Sequence, residues 1–392
     1  MLQNDSAVAK KGALDVGHWL DLLVLASIIP IKDQWPSGNC MRLPITAHPE
    51  RQKPDFRRFC DSCTLDAWHF LALRFEDQLP FRRLRTLLPD TMTSTETPPT
   101  ELAESRYAGL DTWTDAAILE ALFDSQRRGV DSVAAALPEI ARAAQLAATA
   151  LTGEGRLIYL ASGSPALISL ADALEIPQTY GIPRSRIELI FAGGHAITEN
   201  LTGADEDNGE SARAAVAAAG VNAADCVIAI SASGSTPYTV AGLAAAKARG
   251  AATVAIANNK AAPIFESAEV AILLQVGAEV ISGSTRLSAG TAQKATLNLI
   301  STLVGIRLGH VHDNHMVNVV ADNAKLRARA ERMVATITGK SLEQAAEALR
   351  LSEGHVKPAV MLCAGATSLG DAHALLAASG GRLREALTRV AR

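Results

Sequence analysis

The chain has 392 residues, of which 48% are hydrophobic and 20% are charged, and its 37 Lys and Arg against 41 Asp and Glu give a net charge of -4. This length accommodates two or three domains with full-sized cores, and the composition excludes collagen, a minimal disulfide scaffold and a wholly disordered chain. The near-neutral balance argues against a strongly basic nucleic-acid binder, and the five cysteines form no disulfide framework, so a reducing compartment is expected.

The first 91 residues differ in composition from the rest of the chain. They hold three of the four Trp, five of the eight Phe and only three of the 28 Gly. Such a break predicts that residues 1–91 are a separate module or lie outside the folded unit, either as a disordered extension or as the product of a misplaced start. Because the polar run 93–100 is typical of a disordered N-terminus, our hypothesis is that the working protein begins at Met92.

Two short patterns in this first region resemble functional segments. The apolar run 22–31 is shorter than the roughly 18 residues that a membrane helix needs, so a cytoplasmic protein without a spanning segment is expected. Cys60 and Cys63, with His69 nearby, have the spacing of zinc and redox sites, but a second pair of ligands is missing. We interpret them as incidental cysteines.

A helical pattern follows the first region. Apolar residues recur at spacings of three and four from Asp111 to Leu151, and Pro138 interrupts them. The pattern predicts two amphipathic helices, which form an N-terminal helical segment over residues 92–150.

Five short apolar runs come next, separated by Gly-rich turns and Ala-rich helical segments. Apolar runs of about five residues are typical of strands that are buried on both faces, and their alternation with helices predicts βαβ units. The expected fold class is α/β, with a five-stranded parallel sheet flanked by helices. The predicted strands are 157–160, 187–191, 226–230, 253–257 and 270–274.

Helical patterns occupy the rest of the chain. Residues 289–308 and 319–337 are predicted as long helices. Short helices follow and are predicted to form a small C-terminal helical domain, 336–392, with a capping box at 341–344. The predicted helix stops are Gly354, Gly370 and Gly380.

Hydroxyl-bearing turns follow three of the predicted strands. Ligands of open parallel sheets bind beyond the carboxyl ends of the strands, so these turns are candidate binding elements. Backbone N–H groups at a helix N-terminus and Ser or Thr hydroxyls can together hold a phosphate. A single turn of this kind is equally consistent with an ordinary capped turn, and the recurrence favours a phosphate site. The three turns are 161–165, 231–237 and 283–286.

One long segment carries a family resemblance. The run 277–294, GAEVISGSTRLSAGTAQK, followed by LNLIST at 297–302, closely resembles the signature of N-acetylmuramic acid 6-phosphate etherases, which are sugar isomerase (SIS) domain proteins. The resemblance implies an SIS-type, doubly wound phosphosugar domain over residues 151–335. It does not include the first 91 residues. Shorter matches lie at 155–160, 177–181, 192–194, 231–238 and 323–326.

The resemblance implies an activity. N-acetylmuramic acid 6-phosphate etherases cleave the lactyl ether of their substrate with water, giving N-acetylglucosamine 6-phosphate and D-lactate, in cytoplasmic recycling of peptidoglycan sugars. The chemistry needs a base that takes the proton from C2 of the open-chain sugar and an acid that protonates the departing lactate oxygen, and each transfer contributes roughly 100- to 10,000-fold. Two carboxyls with different pKa values suit these roles. The resemblance implies no cofactor and a homodimer, because related active sites are completed by a second subunit.

The resemblance also implies roles for particular residues. Glu175 precedes the segment Pro-x-Thr-Tyr-Gly and is the expected catalytic acid. Counting from 192–194 assigns the second catalytic glutamate to Glu210, with Glu206 as the alternative in the same acidic stretch. Without the resemblance, these glutamates would be interpreted as exposed surface charges. The expected substrate-binding residues are Ser162, Ser164, Ser231, Ser233, Thr236, Glu279, Ser284 and Lys294.

The chain departs from the family pattern at several positions that would contact a phosphosugar. Pro165 stands in the first phosphate turn, where it removes a backbone N–H and where the family carries a Gly-rich run ending in arginine. Ser235 and Ser288 replace a usual arginine and a usual lysine, whereas Arg286 and Lys294 remain. The loss of positive charge leaves three interpretations open: a weakened enzyme, an altered substrate, or a phosphosugar-binding regulator that keeps the fold.

Two other SIS-domain functions and a metal site are alternatives to the etherase activity. SIS domains also serve as phosphosugar sensors, some joined to helix-turn-helix modules, but the helices at 111–151 lack a basic recognition face, so we expect no nucleic-acid or membrane partner. An aldose–ketose isomerase would share the hydroxyl turns, and the signature at 277–294 argues against it. His310, His312 and His315 cannot all share one helix face, and we interpret them as solvated or capping residues rather than as metal ligands.

Overall fold

The structure is a computed structural model of the chain and describes residues 97–194, 197, 203–319, 321 and 323–390. The predictions for residues 1–91, for a start at Met92 and for the cysteine pair lie outside these residues. The polar run that was predicted to be disordered ends inside them. That prediction is wrong for Thr100, because its side chain is fully buried.

Five parallel strands form one sheet with the order β2-β1-β3-β4-β5. In the centre of the sheet, Leu157 of β1 pairs with Ile187 of β2 on one side and with Cys226 of β3 on the other. All five predicted strands are present, with bounds that agree within one residue. They are β1 Leu157–Ala161, β2 Ile187–Phe191, β3 Cys226–Ile230, β4 Ala252–Ala257 and β5 Val270–Leu273.

The helices that accompany the sheet lie on both of its faces. The side chains of Leu157 and Tyr159 pack into one apolar core with α2, α3 and α7, whereas those of Ile158 and Leu160 pack into a second core with α5 and α6. The predicted doubly wound α/β fold is therefore confirmed. The helices are α1 Asp115–Val133, α2 Leu137–Thr152, α3 Gly163–Tyr180, α4 Gly203–Glu206, α5 Gly209–Ala218, α6 Pro237–Ala248 and α7 Ser288–Arg307.

The prediction that the strands are buried on both faces is confirmed for the inner strands β1 and β3 and is wrong for the edge strands β2 and β5. Every residue of β1 and β3 is buried, whereas the edge strand β5 exposes Ala271 and the edge strand β2 leaves Glu188 and Leu189 half-buried. An edge strand has a neighbour on one side only, so its side chains are less completely covered.

The two predicted N-terminal helices are α1 and α2. Thr114 caps α1 by accepting a hydrogen bond from the backbone N–H of Ala117. Pro138 lies in the first turn of α2, where its missing N–H would have had no helical acceptor. Both helices pack against α7, which also packs against α3.

The C-terminal helices form their own apolar core, which includes Met333, Val360 and Met361. The helix predicted from residue 319 begins instead at Ala324, because the side chain of Asn323 accepts the backbone N–H of Leu326 at 3.0 Å and caps it. The helices are α8 Ala324–Thr338, α9 Leu342–Leu351, α10 Val356–Ala364, α11 Leu369–Ala378 and α12 Leu383–Val390.

The predicted ends of these short helices are partly confirmed. The capping box of α9 is present, with hydrogen bonds exchanged between Ser341 and Gln344. Gly354 and Gly380 follow helices and have positive φ, but Gly370 lies inside α11. Gly365, with a φ of 118°, ends α10 in its place.

None of the helices described is by itself long and apolar enough to cross a membrane. The bent pair formed by α10 and α11 reaches the required length and composition only when the two helices are taken together.

Candidate functional site

The turns that follow β1 and β3 meet in a cavity of about 240 Å³ at the carboxyl ends of the strands. Thr285, in the turn before α7, and Glu101, near the start of the described residues, complete its wall together with Glu206. The predicted substrate-binding residues that line it are Ser162, Ser164, Ser231, Ser233 and Thr236.

The hydroxyl groups of the second turn lie against one another. Ser231 Oγ lies 2.9 Å from Thr236 Oγ1 and accepts the backbone N–H of Gly234 at 3.0 Å. Ser233 Oγ accepts the backbone N–H of Ser235 at 3.2 Å. These bonds hold the turn in a closed shape just before α6, whose first residue is Pro237. A ligand with several acceptor oxygens could receive the rotatable hydroxyl protons of this cluster.

No Lys or Arg side chain is among the described residues that line the cavity. Two helices, α3 and α6, begin beside it, so an anion there would be attracted by their N-terminal dipoles and by hydroxyl groups. Pro165 lies in the first turn of α3, and its missing N–H reduces the number of backbone donors.

Glu206 brings a carboxyl group into this cavity. The hydroxyl of Ser162 donates a hydrogen bond to Glu206 Oε2 at 3.4 Å. Partial burial raises the pKa of Glu206 above its ordinary value, and the Ser162 hydroxyl opposes that shift. Gly163 permits the approach, since a Cβ atom at this position would lie 2.8 Å from Glu206 Oε1.

Glu210, the residue first assigned as the second catalytic glutamate, lies outside the cavity. Its side chain is 81% exposed and forms an ion pair with Arg213 one turn along α5, with 2.9 Å between Oε2 and Nη2. The alternative in the same acidic stretch, Glu206, is the one that reaches the hydroxyl turns. A count along the sequence could not separate the two, because four residues there carry side-chain carboxyls within six positions, Asp205, Glu206, Asp207 and Glu210.

Glu175 is on α3, about 20 Å from the cavity as measured along the helix from Ser162. Its side chain is 68% exposed, and its Oε2 lies 3.6 Å from Nζ of Lys294 on α7. One turn earlier, the buried Asp172 accepts hydrogen bonds from Tyr159, Asn298 and Ser301. Burial raises the pKa of Asp172, and these donors and the charge of Lys294 oppose the rise. Within one chain, Glu175 and Glu206 are therefore not brought together.

Glu279 and Ser284, both expected to bind substrate, do not line the cavity. The carboxylate of Glu279 is buried, and it accepts the backbone N–H and hydroxyl of Ser288 and the backbone N–H of Ala289, at 2.8–3.0 Å. This carboxylate caps the N-terminus of α7, and its contact with substrate stays a prediction. Thr285, which immediately follows Ser284, is the residue of this turn that faces the cavity.

The positions that depart from the family pattern have different surroundings. The hydroxyl of Ser288 is fully buried against Glu279, whereas Ser235 and Arg286 are exposed beside the turns. Lys294, which is expected to bind substrate, does not line the cavity and lies on α7 beside Glu175, the expected catalytic acid. Sequence patterns singled out neither Glu101 nor Asp172, since nothing local to them marks a ligand site, whereas Thr285 belongs to the predicted hydroxyl-bearing turn 283–286.

Two of the three histidines pair through their backbones, and the interpretation of all three as solvated or capping residues does not hold for the side chain of His312, which is buried. His312 and His315 exchange two backbone hydrogen bonds of 2.9 and 2.8 Å. Burial lowers the pKa of His310 to about 4. Among the described residues, no three His, Cys, Asp or Glu side chains are placed to share a metal ion.

Comparison with known proteins connects this architecture to one group of sequences. Residues 208–303 match the family model of the SIS domain. The chain is 43% identical over 279 residues to the N-acetylmuramic acid 6-phosphate etherase of Cronobacter sakazakii, an alignment that covers 71% of this chain and 94% of that protein. The proteins of the same name from Deinococcus radiodurans and Symbiobacterium thermophilum are 39% and 48% identical, over 74% and 57% of this chain and 94% and 75% of their own lengths.

Proposed function

The chain belongs to the N-acetylmuramic acid 6-phosphate etherase family, and from this membership we propose that it cleaves the lactyl ether of N-acetylmuramic acid 6-phosphate with water. The products are N-acetylglucosamine 6-phosphate and D-lactate. The reaction is that of a carbon–oxygen lyase in N-acetylmuramate catabolism during cytoplasmic peptidoglycan recycling. The substrate is a phosphorylated amino sugar.

The phosphate binds at the hydroxyl turns after β1 and β3. The hydroxyls of Ser164, Ser231, Ser233 and Thr236 and the N-termini of α3 and α6 supply donors on one side of the cavity, while the Ser162 hydroxyl donates to Glu206. This assignment accounts for the absence of cations among the described lining residues, since neutral donors and helix dipoles can hold a dianion.

Glu206 acts as the base that removes the proton from C2 of the open-chain sugar. Loss of that proton allows the bond between C3 and the lactyl oxygen to break, and water then adds at C3 while C2 regains a proton. The carboxyl lies beside the hydroxyl turns, and burial raises its pKa, which brings it closer to the working pH and makes it a stronger base. The position of Glu206 in the hydroxyl-lined cavity is the observation that supports this function most directly.

Glu175 acts as the acid that protonates the departing lactate oxygen, and it reaches the cavity of a partner subunit. In a two-fold dimer with antiparallel copies of α3, the C-terminal half of one helix lies beside the N-terminal half of the other. That arrangement would bring Glu175 of one subunit toward the turn at Ser162 of the second.

Exposed apolar side chains on the layer of α1, α3 and α7 support the homodimer. Large apolar groups in contact with water favour burial against another surface, and Leu174 stands next to Glu175 on this layer. A second copy of the chain would cover this apolar layer and would also complete the active site. The exposed residues are Leu119, Phe123, Val130, Leu167, Leu174, Leu299 and Ile306.

The experiment is the release of D-lactate from N-acetylmuramic acid 6-phosphate by the unaltered protein and two glutamine variants. Glu206→Gln is expected to lower kcat at least about 100-fold, because it removes the base and keeps the shape of the side chain. Glu210→Gln is the matched control and should retain nearly full activity, since the Glu210 side chain is 81% exposed and pairs with Arg213 outside the cavity.

If Glu210→Gln lowers kcat strongly and Glu206→Gln does not, Glu210 is the base. A protein that binds the phosphosugar but releases no lactate would be a phosphosugar-binding regulator instead, which is the second function compatible with the cation-poor cavity. Binding measured by calorimetry beside the lactate assay separates these cases.

A further inference from the structure

A short segment near the start of the described residues is attached to the rim of the cavity. The side chain of Thr100 is fully buried, and its carbonyl accepts the backbone N–H of Gly283 at 3.0 Å. The hydroxyl of Ser282 donates to the carbonyl of Glu101 at 2.6 Å. These contacts anchor residues 99–101 to the turn that precedes α7.

The same segment is connected to the hydroxyl turn after β3 through Asn259. The amide nitrogen of Asn259 donates to Thr100 Oγ1 at 3.4 Å and to the carbonyl of Ser233 at 3.1 Å. Asn259 is itself buried. The backbone of residues 99–101 is thus held in a defined position relative to the turns after β3 and before α7.

This anchoring delivers a carboxylate to the cavity. Glu101 lines it together with Glu206 and the hydroxyl turns, and a Cβ atom on Gly283 would lie 2.7 Å from Glu101 Oε2. No hydrogen bond or ion pair to this carboxylate is formed by the residues that the structure describes. Glu101 therefore presents carboxyl oxygens that are available to accept hydrogen bonds.

We propose that Glu101 is a substrate-binding residue that accepts hydrogen bonds from hydroxyl or amide N–H groups of the sugar. This inference rests on the proposed function. A carboxylate repels both the phosphate and the lactyl carboxylate, so Glu101 marks the part of the cavity that receives the uncharged donor groups of the ligand. It thereby helps to set the direction in which the sugar enters, with its phosphate at the hydroxyl turns.

Two binding probes test the proposal without the need for turnover. Titration calorimetry with N-acetylglucosamine 6-phosphate and with inorganic phosphate compares the unaltered protein with Glu101→Ala. Loss of a hydrogen bond to a charged acceptor is expected to weaken binding of the phosphosugar about 10- to 100-fold. Binding of inorganic phosphate should stay the same or tighten, because a nearby negative charge is removed.

Glu104→Gln is the matched control, since Glu104 lies three residues along the same stretch of chain and pairs with Arg106. It should bind both probes like the unaltered protein. In the lactate assay, Glu101→Ala should raise KM by a similar factor and leave kcat within about threefold.

Two results would overturn the inference. Unchanged binding of the phosphosugar by Glu101→Ala would show that the carboxylate does not contact the sugar. If Glu101→Ala weakens the binding of both probes equally, the substitution disturbs the hydroxyl turns instead. A protein that binds the phosphosugar with these differences but releases no lactate would contradict the proposed lyase function and leave the role of Glu101 intact.

Discussion

Gly163 determines how closely the carboxyl of Glu206 can approach the first turn of α3. Its φ of 58° lies in the left-handed region, and a side chain there would meet Glu206 Oε1 at 2.8 Å. Both the backbone conformation and the available space therefore require glycine at this position.

The substitution Gly163→Ala is expected to displace the Glu206 carboxyl and lower kcat at least about tenfold, because small displacements of a catalytic group are costly. Gly220→Ala is the control: Gly220 has a φ of 61°, and a Cβ atom added there would have no described atom within 4 Å beyond its chain neighbours. Both variants are expected to lose about 1–2 kcal/mol of stability, because a residue with a Cβ atom is strained in the left-handed conformation. Thermal unfolding measures this loss. Equal activity losses in the two would assign the effect to backbone strain.

The pKa of Glu206 depends on its hydrogen bond to Ser162. Burial raises this pKa and the hydroxyl of Ser162 lowers it, so removal of the hydroxyl should raise it further. A base works only when it is unprotonated, and the acid limb of the kcat/KM profile of Ser162→Ala is therefore expected to move to higher pH. Ser164→Ala, which removes a neighbouring lining hydroxyl without a bond to Glu206, should leave that limb in place. A shift to lower pH would contradict the assignment of Glu206 as base.

At the scale of elements, the N-terminus of α7 is stabilised by a buried carboxylate. Glu279 accepts three hydrogen bonds from Ser288 and Ala289, and α7 in turn packs against α1, α2 and α3. Loss of this cap would leave backbone N–H groups unpaired in a buried environment.

Glu279→Ala is accordingly expected to lower the free energy of unfolding by about 3 kcal/mol, as measured by urea denaturation. The exposed Glu347, paired with Arg350 on α9, provides a comparison, and Glu347→Ala should leave stability nearly unchanged. The KM of folded Glu279→Ala should stay close to that of the unaltered protein. A stable variant with a greatly raised KM would instead support the original assignment of Glu279 to substrate binding.

At the scale of the whole molecule, the two candidate catalytic carboxyls belong to different parts of the surface. Glu206 faces the cavity, whereas Glu175 lies on the layer of exposed apolar side chains. The proposed active site, which uses both carboxyls, is therefore expected to need two copies of the chain.

Co-expression of Glu175→Gln with Glu206→Gln tests this arrangement. Each variant alone should be inactive, but a mixed dimer would have one site with both carboxyls intact, so a statistical mixture should recover about a quarter of the unaltered activity. Lactate release and sedimentation analysis measure activity and dimerisation on the same sample. Recovery of no activity in a mixture that forms mixed dimers would place both carboxyls in the same chain's site.

Much of the architecture follows from local patterns. The five short apolar runs predicted the strands within one residue, and the predicted pair of N-terminal helices is present, with Pro138 in the first turn of α2. The start of α8 was wrong because the cap at Asn323 outweighed the apolar pattern that begins at residue 319. In the candidate site, the meeting of the hydroxyl turns was predictable, because parallel strands bring their carboxyl ends to one edge of the sheet.

Local patterns and one long contiguous signature were sufficient to predict the periodicity of the elements, the parallel sheet and the family. The folded chain was needed to show which glutamate enters the cavity, that Glu279 caps a helix, and that Glu101 lines the cavity although it is remote in sequence. These properties depend on distances between residues remote in sequence. Such distances are set by the packing of whole helices and turns, which no local pattern encodes.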